Sequence, residues 1–362
     1  MRKYKKYLLR NDSMNILFFT NNLASVGGIQ EYNKNFLKAL KQLHHRTTNI
    51  QLKRGFLSKI FFIIEGVISV AVLKQNFIIC GHINFSPFCL FLKKVFGKKY
   101  ILITHGIDVW DVERDIYKKG LIGAVAVITV SSFTKWKIIE QFPEVADRVI
   151  IIPNTIDEKK FYPKEKNKKL LEKYGISKDK IILTVARLSV EEQYKGYDQV
   201  IRAIPLVIQE FPNIKYILVG GGNDIIRVKE LIHELGLQKY IITPGYVSED
   251  ELVDYYNICD VFVMPSKGEG FGIVFLEALA CGKSVIAGNK DGSRGALLDG
   301  KLGLLVDPEN VESISDAILK VFKKEICPDL INQKFLRNVT VDTFGLKVFR
   351  EKIDGLLVTI GK

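Results

Sequence analysis

Residues 266–287 read SKGEGFGIVFLEALACGKSVIA, in which a glycine-rich loop precedes an apolar helix and the strand KSVIA. The acidic residues of this stretch are Glu269 and Glu277, and only glycines and apolar residues separate them. A glutamate is rarely buried without a partner, so a pair of them in a core-like segment indicates a specific role. With a helix beginning near Phe271, Glu277 lies in its second turn and Glu269 in the loop before it. Both carboxylates can therefore face a ligand near the helix N-terminus.

The alternation of strands and helices around this stretch extends along the whole chain. The strands are NILFFT, NFIIC, KKYILIT, AVAVITV and VIIIP in the first half and IILTVA, KYILVGG, YIIT, DVFVMP and KSVIA in the second. Helical segments separate them, which is the pattern of parallel sheets with helices on their faces. A chain of 362 residues is too long for one core, and the polar segment PNTIDEKKFYPKEKNKK is typical of a linker. We therefore predict an α/β protein with two Rossmann-like doubly wound domains, residues 1–160 and 161–342, facing a central cleft where ligands bind.

The cysteines and the most apolar segments predict a cytoplasmic protein. The five cysteines form no C-x-x-C pair, as expected of reduced thiols. Residues 1–13 are basic, have no apolar run of the secretory type after them, and are interpreted as an extension before the first strand. The most apolar window, residues 56–73, contains Lys59 and Glu65, so it is interpreted as a buried or interfacial helix and not as a membrane span.

The positive charge of the chain is concentrated in its first half. Residues 1–160 hold 25 Lys and Arg against 12 Asp and Glu, whereas residues 161–362 hold 28 of each, so the net charge of +13 arises before residue 161. Basic residues beside apolar ones, as in SPFCLFLKKVFGKKY, favour an anionic membrane surface as partner, and the alternative is a solvated basic face. No helix-turn-helix, zinc or ribonucleoprotein pattern occurs, so no nucleic-acid partner is predicted. The predicted location is the cytoplasm, peripheral on the inner face of the membrane.

Glycines and cations mark candidate phosphate contacts. Gly27 and Gly28 follow the first strand and open the next helix, whose N–H groups and positive dipole end can face a phosphate, although such a pair also makes a plain turn. Arg187 ends the strand IILTVA, and Lys195 lies in the loop before the following helix. A guanidinium and an ammonium at one rim suit a diphosphate, and the alternative is ordinary surface charge.

Together, these segments resemble a known family. VARLSVEEQYKG and residues 266–287 are similar to the donor half of family 4 glycosyltransferases (glycosyl transferases group 1), which are retaining, nucleotide-sugar-dependent enzymes of the GT-B fold. SVGGIQEY, ICGHINFSP, THGID and IPNTID are similar to segments of that family's first half in the same order, so the resemblance covers essentially the whole chain. It also implies that the last helix, near residues 343–360, packs back on the first domain.

The resemblance implies a role for each residue of the donor loop. Glu277 accepts hydrogen bonds from the ribose hydroxyls of the nucleotide, and Glu269 accepts them from a hydroxyl of the donor sugar, which offsets the cost of burial. Gly270 and Gly272 let the backbone approach the sugar, where Phe271 and Gly272 offer their N–H groups. The alternative for the glutamates is an acid at a helix N-terminus and a solvated helix face.

Two histidines and the base contact complete the predicted site. His105 ends the strand ILIT, where a lone histidine is more often a packing residue, and the resemblance implies a contact to the transferring sugar. His82 matches a less specific histidine of the family and is equally compatible with a structural role. The nucleotide base is expected to meet the backbone near Val247. No D-x-D triplet occurs, so Arg187, Lys195 and helix dipoles are expected to neutralise the diphosphate without a metal or another cofactor.

The predicted function is transfer of a hexose from a nucleotide-diphosphate sugar to a hydroxyl of a glycan or lipid-linked glycan, in the synthesis of a cell-surface polysaccharide or glycolipid. The predicted catalytic residues are His105, Arg187, Lys195 and Glu269. Arg187 and Lys195 stabilise the charge on the departing diphosphate, and the anomeric configuration is retained. Two alternatives stay open, a sugar-nucleotide epimerase of the same fold and a non-catalytic nucleotide-sugar sensor. The sequence does not choose among UDP, GDP and ADP donors, or among acceptors.

Overall fold

The computed structural model describes residues 13–25, 27–72 and 75–361. These residues form two compact units, each built around one six-stranded parallel sheet. The first unit comprises the described residues up to Thr129, Lys135–Ile152 and the C-terminal residues from Phe349 onward, and the second comprises Val130–Thr134 and Pro153–Val348. The predicted α/β class with two doubly wound sheets is confirmed. The predicted N-terminal extension lies, except for Ser13, outside the described residues.

The first unit alternates strands and helices as the sequence pattern predicts. Its strands are β1 (Asn15–Asn21), β2 (Arg46–Leu52), β3 (Phe77–Cys80), β4 (Tyr100–Ile103), β5 (Ala126–Thr129) and β6 (Val149–Ile151). Its helices are α1 (Gly28–Gln42), α2 (Phe56–Val72), α3 (Ser86–Phe96), α4 (Asp115–Ile122) and α5 (Ser132–Gln141), the last of which begins in the segment that belongs to the second unit. The strand order is β2-β1-β3-β4-β5-β6, and every neighbouring pair is parallel.

The second unit repeats this architecture with a different strand order. Its strands are β7 (Lys180–Val185), β8 (Ile214–Val219), β9 (Ile241–Gly245), β10 (Val261–Met264), β11 (Ser284–Gly288) and β12 (Leu304–Val306). Its helices are α6 (Lys168–Lys173), α7 (Tyr197–Glu210), α8 (Ile225–Glu234), α9 (Glu249–Ile258), α10 (Ile273–Ala280), α11 (Ser293–Ala296), α12 (Val311–Lys323) and α13 (Gln333–Phe344). The strand order is β12-β11-β10-β7-β8-β9, again with parallel neighbours.

Each sheet contains one point at which the strand order reverses. In the first sheet this point lies between β1 and β3, and in the second it lies between β7 and β10. The loops that follow the two strands at such a point diverge to opposite faces of the sheet and leave a crevice. Ligands of open α/β sheets bind there, outside the carboxyl ends of the strands. The expected ligand-binding region of each unit is therefore formed by the loops after β1 and β3 in the first unit and after β7 and β10 in the second.

The sequence pattern did not reveal the edge strands β2 and β12. Strands that are buried on both faces are apolar along their whole length, and the inner strands of both sheets follow this rule. Strand β2 has one fully buried residue, Ile50, and β12 is three residues long. Because β2 is only partly covered and β12 is short, neither sequence shows the longer apolar run by which the other strands are recognised.

The last helix, α14 (Leu346–Ile360), contributes to the first unit through Phe349. The Phe349 ring packs edge-on against Tyr32 and Phe36 of α1, with ring centroids 5.5 and 6.2 Å apart. Tyr32 also donates a hydrogen bond from its hydroxyl to the carbonyl oxygen of Ile152 at 2.9 Å. These contacts join the C-terminal helix to α1 and to the end of β6.

Helix α2 occupies the apolar window that the sequence analysis interpreted as a buried or interfacial helix. Its buried residues are Phe62, Gly66, Ser69 and Val70, and they lie on one side of the helix. The opposite side is exposed to solvent. Within the described ranges, no helix is long and apolar enough to cross a membrane.

Candidate functional site

The loops after β7 and β10 meet at the reversal point of the second sheet. The first contains Arg187 and a 3-10 turn, Val190–Lys195, and the second contains the glycine-rich segment that leads into α10. Lys195 Nζ lies 3.1 Å from Glu269 Oε2, so a salt bridge joins the two loops. The structure thus brings together two candidate residues that are 74 positions apart in the sequence.

Glu192 links the two cations of the first loop. Its carboxylate lies 2.9 Å from Arg187 Nη1 and 3.6 Å from Lys195 Nζ. Arg187, Glu192, Lys195 and Glu269 therefore form one continuous chain of ion pairs, called the ion-pair cluster below. Sequence analysis did not identify Glu192, because its only signal is a pair of adjacent glutamates in the segment VARLSVEEQYKG.

Lys195 is the more enclosed of the two cations. Its side chain is 15% exposed, whereas that of Arg187 is 55% exposed. Burial by itself lowers the pKa of the Lys195 ammonium, but Glu269, Tyr194 and Glu192 outweigh burial and raise the pKa above its usual value. Lys195 is therefore charged at physiological pH. An enclosed charge interacts more strongly with an anion than one in bulk water.

A buried aspartate holds the backbone of Glu269. The Glu269 N–H donates to Asp291 Oδ2 at 2.6 Å, the Ser293 N–H donates to Asp291 Oδ1 at 2.9 Å, and Asp291 is fully buried. The Gly292 N–H donates to the carbonyl oxygen of Glu269 at 2.9 Å. Burial raises the pKa of Asp291 to about 6, although the hydrogen bonds from Glu269 and Ser293 lower it in part. Sequence analysis missed Asp291, because an Asp-Gly pair after a strand is typical of a plain turn.

The glycine-rich loop can offer main-chain groups but not the Phe271 side chain. Gly272 caps α10 with φ at 85°, and a Cβ at this position would lie 2.4 Å from the Phe275 ring, so glycine is required there. Gly270 is buried. The Phe271 ring is also buried, with its centroid 5.6 Å from that of Phe344. A ligand at this loop would therefore meet the backbone, as the sequence analysis predicts.

Glu277 lies in the second turn of α10, at the predicted place. The Tyr256 hydroxyl donates to Glu277 Oε2 at 2.6 Å, and Glu277 is half-buried. Its neighbours Phe275 and Leu276 are fully buried, so the apolar residues that precede Glu277 form part of the core. Tyr256 was not identified from the sequence.

Val247 lies farther along the sheet than the ion-pair cluster. It follows β9, which is two strands away from β7, and it precedes α9. The start of α9 is fixed by a capping box between Ser248 and Glu251, in which the Ser248 hydroxyl accepts from the Glu251 N–H. This box places Val247 directly at the carboxyl end of the sheet.

In the first unit, Gly27 and Gly28 begin helix α1 beside the reversal point. Gly27 is the residue before the helix, and its carbonyl oxygen accepts a hydrogen bond from the Glu31 N–H at 3.0 Å. Gly28 has open space where a Cβ would lie. The first turn of α1 therefore starts where β1 ends, in the position that the sequence predicts for a phosphate contact.

His105 lies after β4 and is held by the loop after β3. Its Nε2 is 2.9 Å from the carbonyl oxygen of Gly81, and its ring packs edge-on against Tyr32, with centroids 5.4 Å apart. Burial, and to a smaller extent nearby His82, lower the pKa of His105 to about 3, although the bond to Gly81 acts in the opposite direction. The imidazole is therefore neutral, with Nε2–H as the donor to Gly81 and a lone pair on Nδ1.

The two neighbours of His105 have mainly structural contacts. His82 is stacked on His105 at 6.1 Å, and its Nδ1 accepts from the Asn84 N–H at 3.1 Å, which caps a 3-10 turn. Burial lowers the pKa of His82 to about 4. Asp108 Oδ1 accepts from the His105 N–H at 2.9 Å, and burial raises the pKa of Asp108 to about 7. Asp108 thus fixes the backbone that presents the His105 ring.

The candidate residues are divided between the two units. Gly27, Gly28 and His105 belong to the first unit, and the second holds Arg187, Lys195, Val247, Glu269, Gly270, Phe271, Gly272 and Glu277. Among the residues that the structure describes, no group of three or more His, Cys, Asp or Glu side chains is placed to hold a metal ion.

Comparison with known proteins indicates one family. Residues 166–335 match the family described as glycosyl transferases group 1. The GDP-mannose-dependent alpha-(1-6)-phosphatidylinositol monomannoside mannosyltransferase of Mycobacterium tuberculosis is 30% identical over 237 residues, which are 62% of this chain and 60% of that protein. The chain thus spans about 60% of the length of this curated relative.

Solved structures with the same fold cover nearly the whole chain. Sucrose-phosphate synthase from Thermosynechococcus elongatus superposes with a TM-score of 0.80 at 20% identity, over 96% of this chain and 99% of that one. Anabaena Alr3699/HepE, solved in complex with UDP and glucose, gives a TM-score of 0.78 at 18% identity, over 96% and 100% of the two chains. These similarities confirm the predicted GT-B fold.

The first test concerns the protonation state of His105. Because its pKa lies far below the ordinary value of 6.5, we expect the ring to stay neutral from pH 5 to pH 8, and its contribution to stability to be lost only as the pH falls below 6.5 towards 3. The ring ¹⁵N shifts, assigned by their loss in a His105→Gln variant, measure this directly, with free imidazole as an internal reference. A titration midpoint near 6.5 would contradict the buried, neutral ring.

Proposed function

Residues 166–335 match the glycosyl transferases group 1 family, and we propose that the chain belongs to it and transfers a hexose from a nucleotide-diphosphate sugar to a hydroxyl of a glycan or lipid-linked glycan. The observation that carries the proposal is the ion-pair cluster at the reversal point of the second sheet. It combines two cations for a diphosphate with a carboxylate for a sugar, in the crevice where open α/β sheets bind ligands.

The two cations are suited to the diphosphate by geometry and by charge. Arg187 and Lys195 both contact Glu192, so their charged groups lie close enough together to bind one carboxylate. Like a carboxylate, a diphosphate binds well to a guanidinium group and to an ammonium group. It also carries more negative charge than Glu192. It would therefore compete with Glu192 for both cations. As the bond to the sugar breaks, the added negative charge on the diphosphate is stabilised by the same two groups.

The two glutamates are assigned to different parts of the donor. Glu269 extends from a backbone fixed by Asp291 and lies against Lys195, so its carboxylate is beside the proposed phosphate position. We therefore assign Glu269 to the sugar, from whose hydroxyls it would accept hydrogen bonds. Glu277 is held by Tyr256 one turn inside α10, and we assign it to the ribose hydroxyls.

Retention of the anomeric configuration is part of the proposal. Glu269 pairs with Lys195 and serves as an acceptor for sugar hydroxyls, so we assign no carboxylate nucleophile. The acceptor hydroxyl then attacks on the face that the diphosphate leaves, and the diphosphate oxygen takes its proton. Neutral His105 would contact the transferring sugar through a hydrogen bond, and its low pKa excludes a role as a proton donor at neutral pH.

The names of relatives and structural neighbours are compatible with several donors. The mycobacterial relative is named for GDP-mannose, and the Anabaena protein was solved with UDP and glucose. The mycobacterial name also specifies a phosphatidylinositol mannoside as acceptor, which supports a lipid-linked acceptor for this chain. Such an acceptor would be reached from the cytoplasmic side of an anionic membrane. The basic first half of the chain supports this location.

The function is tested first by donor binding and product analysis. We expect one nucleoside diphosphate among UDP, GDP and ADP to stabilise the protein by about 2.7 kcal/mol at 100 times its dissociation constant, measured by thermal unfolding. The matching nucleotide sugar should then yield a glycoside whose anomeric proton has the configuration of the donor by NMR. An isomerised donor without acceptor would indicate an epimerase, and binding without turnover would indicate a sensor.

The second test removes the diphosphate contacts one at a time. We expect Arg187→Ala and Lys195→Ala each to lower kcat by roughly 10² to 10³, by analogy with the loss of one donor to a developing oxyanion. Arg202→Ala, which removes an exposed cation of the same unit, is the matched control and should leave kcat unchanged. Near wild-type kcat in either site variant, with the fold verified by circular dichroism, would refute the assignment.

The third test separates the roles of the two glutamates. Glu277→Gln should weaken binding of the nucleoside diphosphate at least about tenfold, because a charge-assisted hydrogen bond to ribose is worth roughly 1.5–3 kcal/mol. Glu269→Gln should leave that affinity within about threefold of wild type and lower kcat, because its partner is the sugar. Calorimetry measures both affinities, with Glu230→Gln as an exposed control. Equal losses in the two site variants would show that the roles are divided wrongly.

A further inference from the structure

Helix α2 carries an exposed face that is entirely apolar. The large apolar side chains that face solvent are Phe56, Leu57, Ile60, Phe61, Ile63, Ile64, Ile68 and Val72, with exposed fractions from 39% to 76%. With about 100° between successive residues, they cover one contiguous half of the helix. The other half packs on the first sheet through Phe62, Gly66 and Val70. Single exposed apolar residues are common, but a contiguous face of this size marks an interaction site.

The charged residues of α2 lie outside this face. Lys59 and Glu65 are the only charged side chains in the helix. On the helical projection, Glu65 falls beside one edge of the exposed apolar half, and Lys59 falls on the other half, between Gly66 and Val70. The apolar half is therefore uninterrupted by charge over about 26 Å of helix length.

Helix α3 extends the face and adds positive charge. It packs against α2 through Phe88, whose ring lies 6.0 Å from that of Phe62. Its outward residues Phe91 and Val95 are 48% and 57% exposed. The segments 53–72 and 86–99, which include both helices, hold seven Lys and Arg and one acidic residue.

We propose that this face, formed by α2 and the outer residues of α3, inserts into the interfacial layer of an anionic membrane. An apolar face with cations beside it has the chemistry of a helix that lies in the membrane plane, with its apolar side at the acyl boundary and its cations at the headgroups. A second copy of the chain would instead bring two sets of seven cations together, which opposes dimerisation through this face. The proposal goes beyond the transfer activity and does not depend on it.

The four lysines in and just after α3 have unequal roles at this surface. Lys93 Nζ donates to the carbonyl oxygen of Gly123 at 2.8 Å, and Lys98 Nζ donates to that of Gln75 at 3.0 Å. Lys94 and Lys99 are exposed. The headgroup contacts are therefore assigned to Lys94 and Lys99, and replacement of Lys93 or Lys98 would disturb the fold as well.

The experiment compares Phe61→Asp with Ile226→Asp in the full chain. Phe61 and Ile226 are 66% and 69% exposed, and Ile226 lies on α8 in the second unit. We expect F61D to lower partition onto vesicles of phosphatidylglycerol and phosphatidylcholine at least about tenfold, because a large apolar group no longer enters the membrane. I226D should bind as wild type, and both should unfold at the wild-type temperature. At 1 M salt, where the Debye length is about 3 Å, wild type should retain binding that F61D lacks.

The depth to which this face enters the membrane is measured with Phe61→Trp and the control Ile226→Trp. Lipids brominated on their acyl chains should quench F61W fluorescence beyond the level of wild type, which itself contains two tryptophans, and should not affect I226W in this way. Three results would overturn the proposal: wild-type vesicle binding by F61D, no added quenching in F61W, or a dimer in sedimentation that F61D dissolves. The last result would assign the face to a second copy. Nucleoside diphosphate binding, measured on the same variants, should be unchanged, which separates this test from that of the transfer function.

Discussion

The reversal of strand order in a parallel sheet is the constraint on which this structure depends. All strands of such a sheet end at one edge, and the loops part only where the order reverses. In the second unit this rule brings the loop after β7 next to the loop after β10, so Lys195 and Glu269 form a salt bridge across 74 positions of sequence. In the first unit His105 follows β4, and its ring meets the carbonyl oxygen of Gly81, which follows the neighbouring strand β3. The strand order of each sheet thus brings these residues together.

Two buried aspartates convert this topology into a fixed geometry. Asp224 accepts from the Tyr197 hydroxyl and from Arg227, both at 2.6 Å, and Arg227 in particular holds the pKa of that carboxyl below its usual value. Asp291 accepts hydrogen bonds from the Glu269 and Ser293 N–H groups, and burial raises its pKa. Burying a carboxylate without hydrogen bonds is costly, so these donors are held in place. Asp224 also accepts from Gln193 Nε2, in the loop of Lys195, at 3.3 Å, and Asp291 holds the loop of Glu269.

The ion-pair cluster and the exposed face of α2 differ in what surrounds their cations. In the cluster, Arg187 and Lys195 both pair with Glu192, and Lys195 also pairs with Glu269, so each cation already has an acidic partner. In segments 53–72 and 86–99 of the first unit, seven cations lie in sequence among apolar residues, with one acidic residue. The paired cations of the cluster are suited to bind a small anion with a defined geometry. The cations near α2 and α3 are suited to attract an extended anionic surface.

The sequence by itself determined the elements that are apolar along their length or that carry a local signal. The inner strands and the place of Glu277 in α10 follow from neighbours within a few residues, and both were predicted. Only the tertiary structure decided the rest. Glu192, Tyr256 and Asp291 became part of the site because distant segments meet there, and no local pattern encodes such a meeting. The edge strand β2 and the outward side of α2 depend on which neighbours cover them, and burial is a property of the assembled sheet and not of the segment.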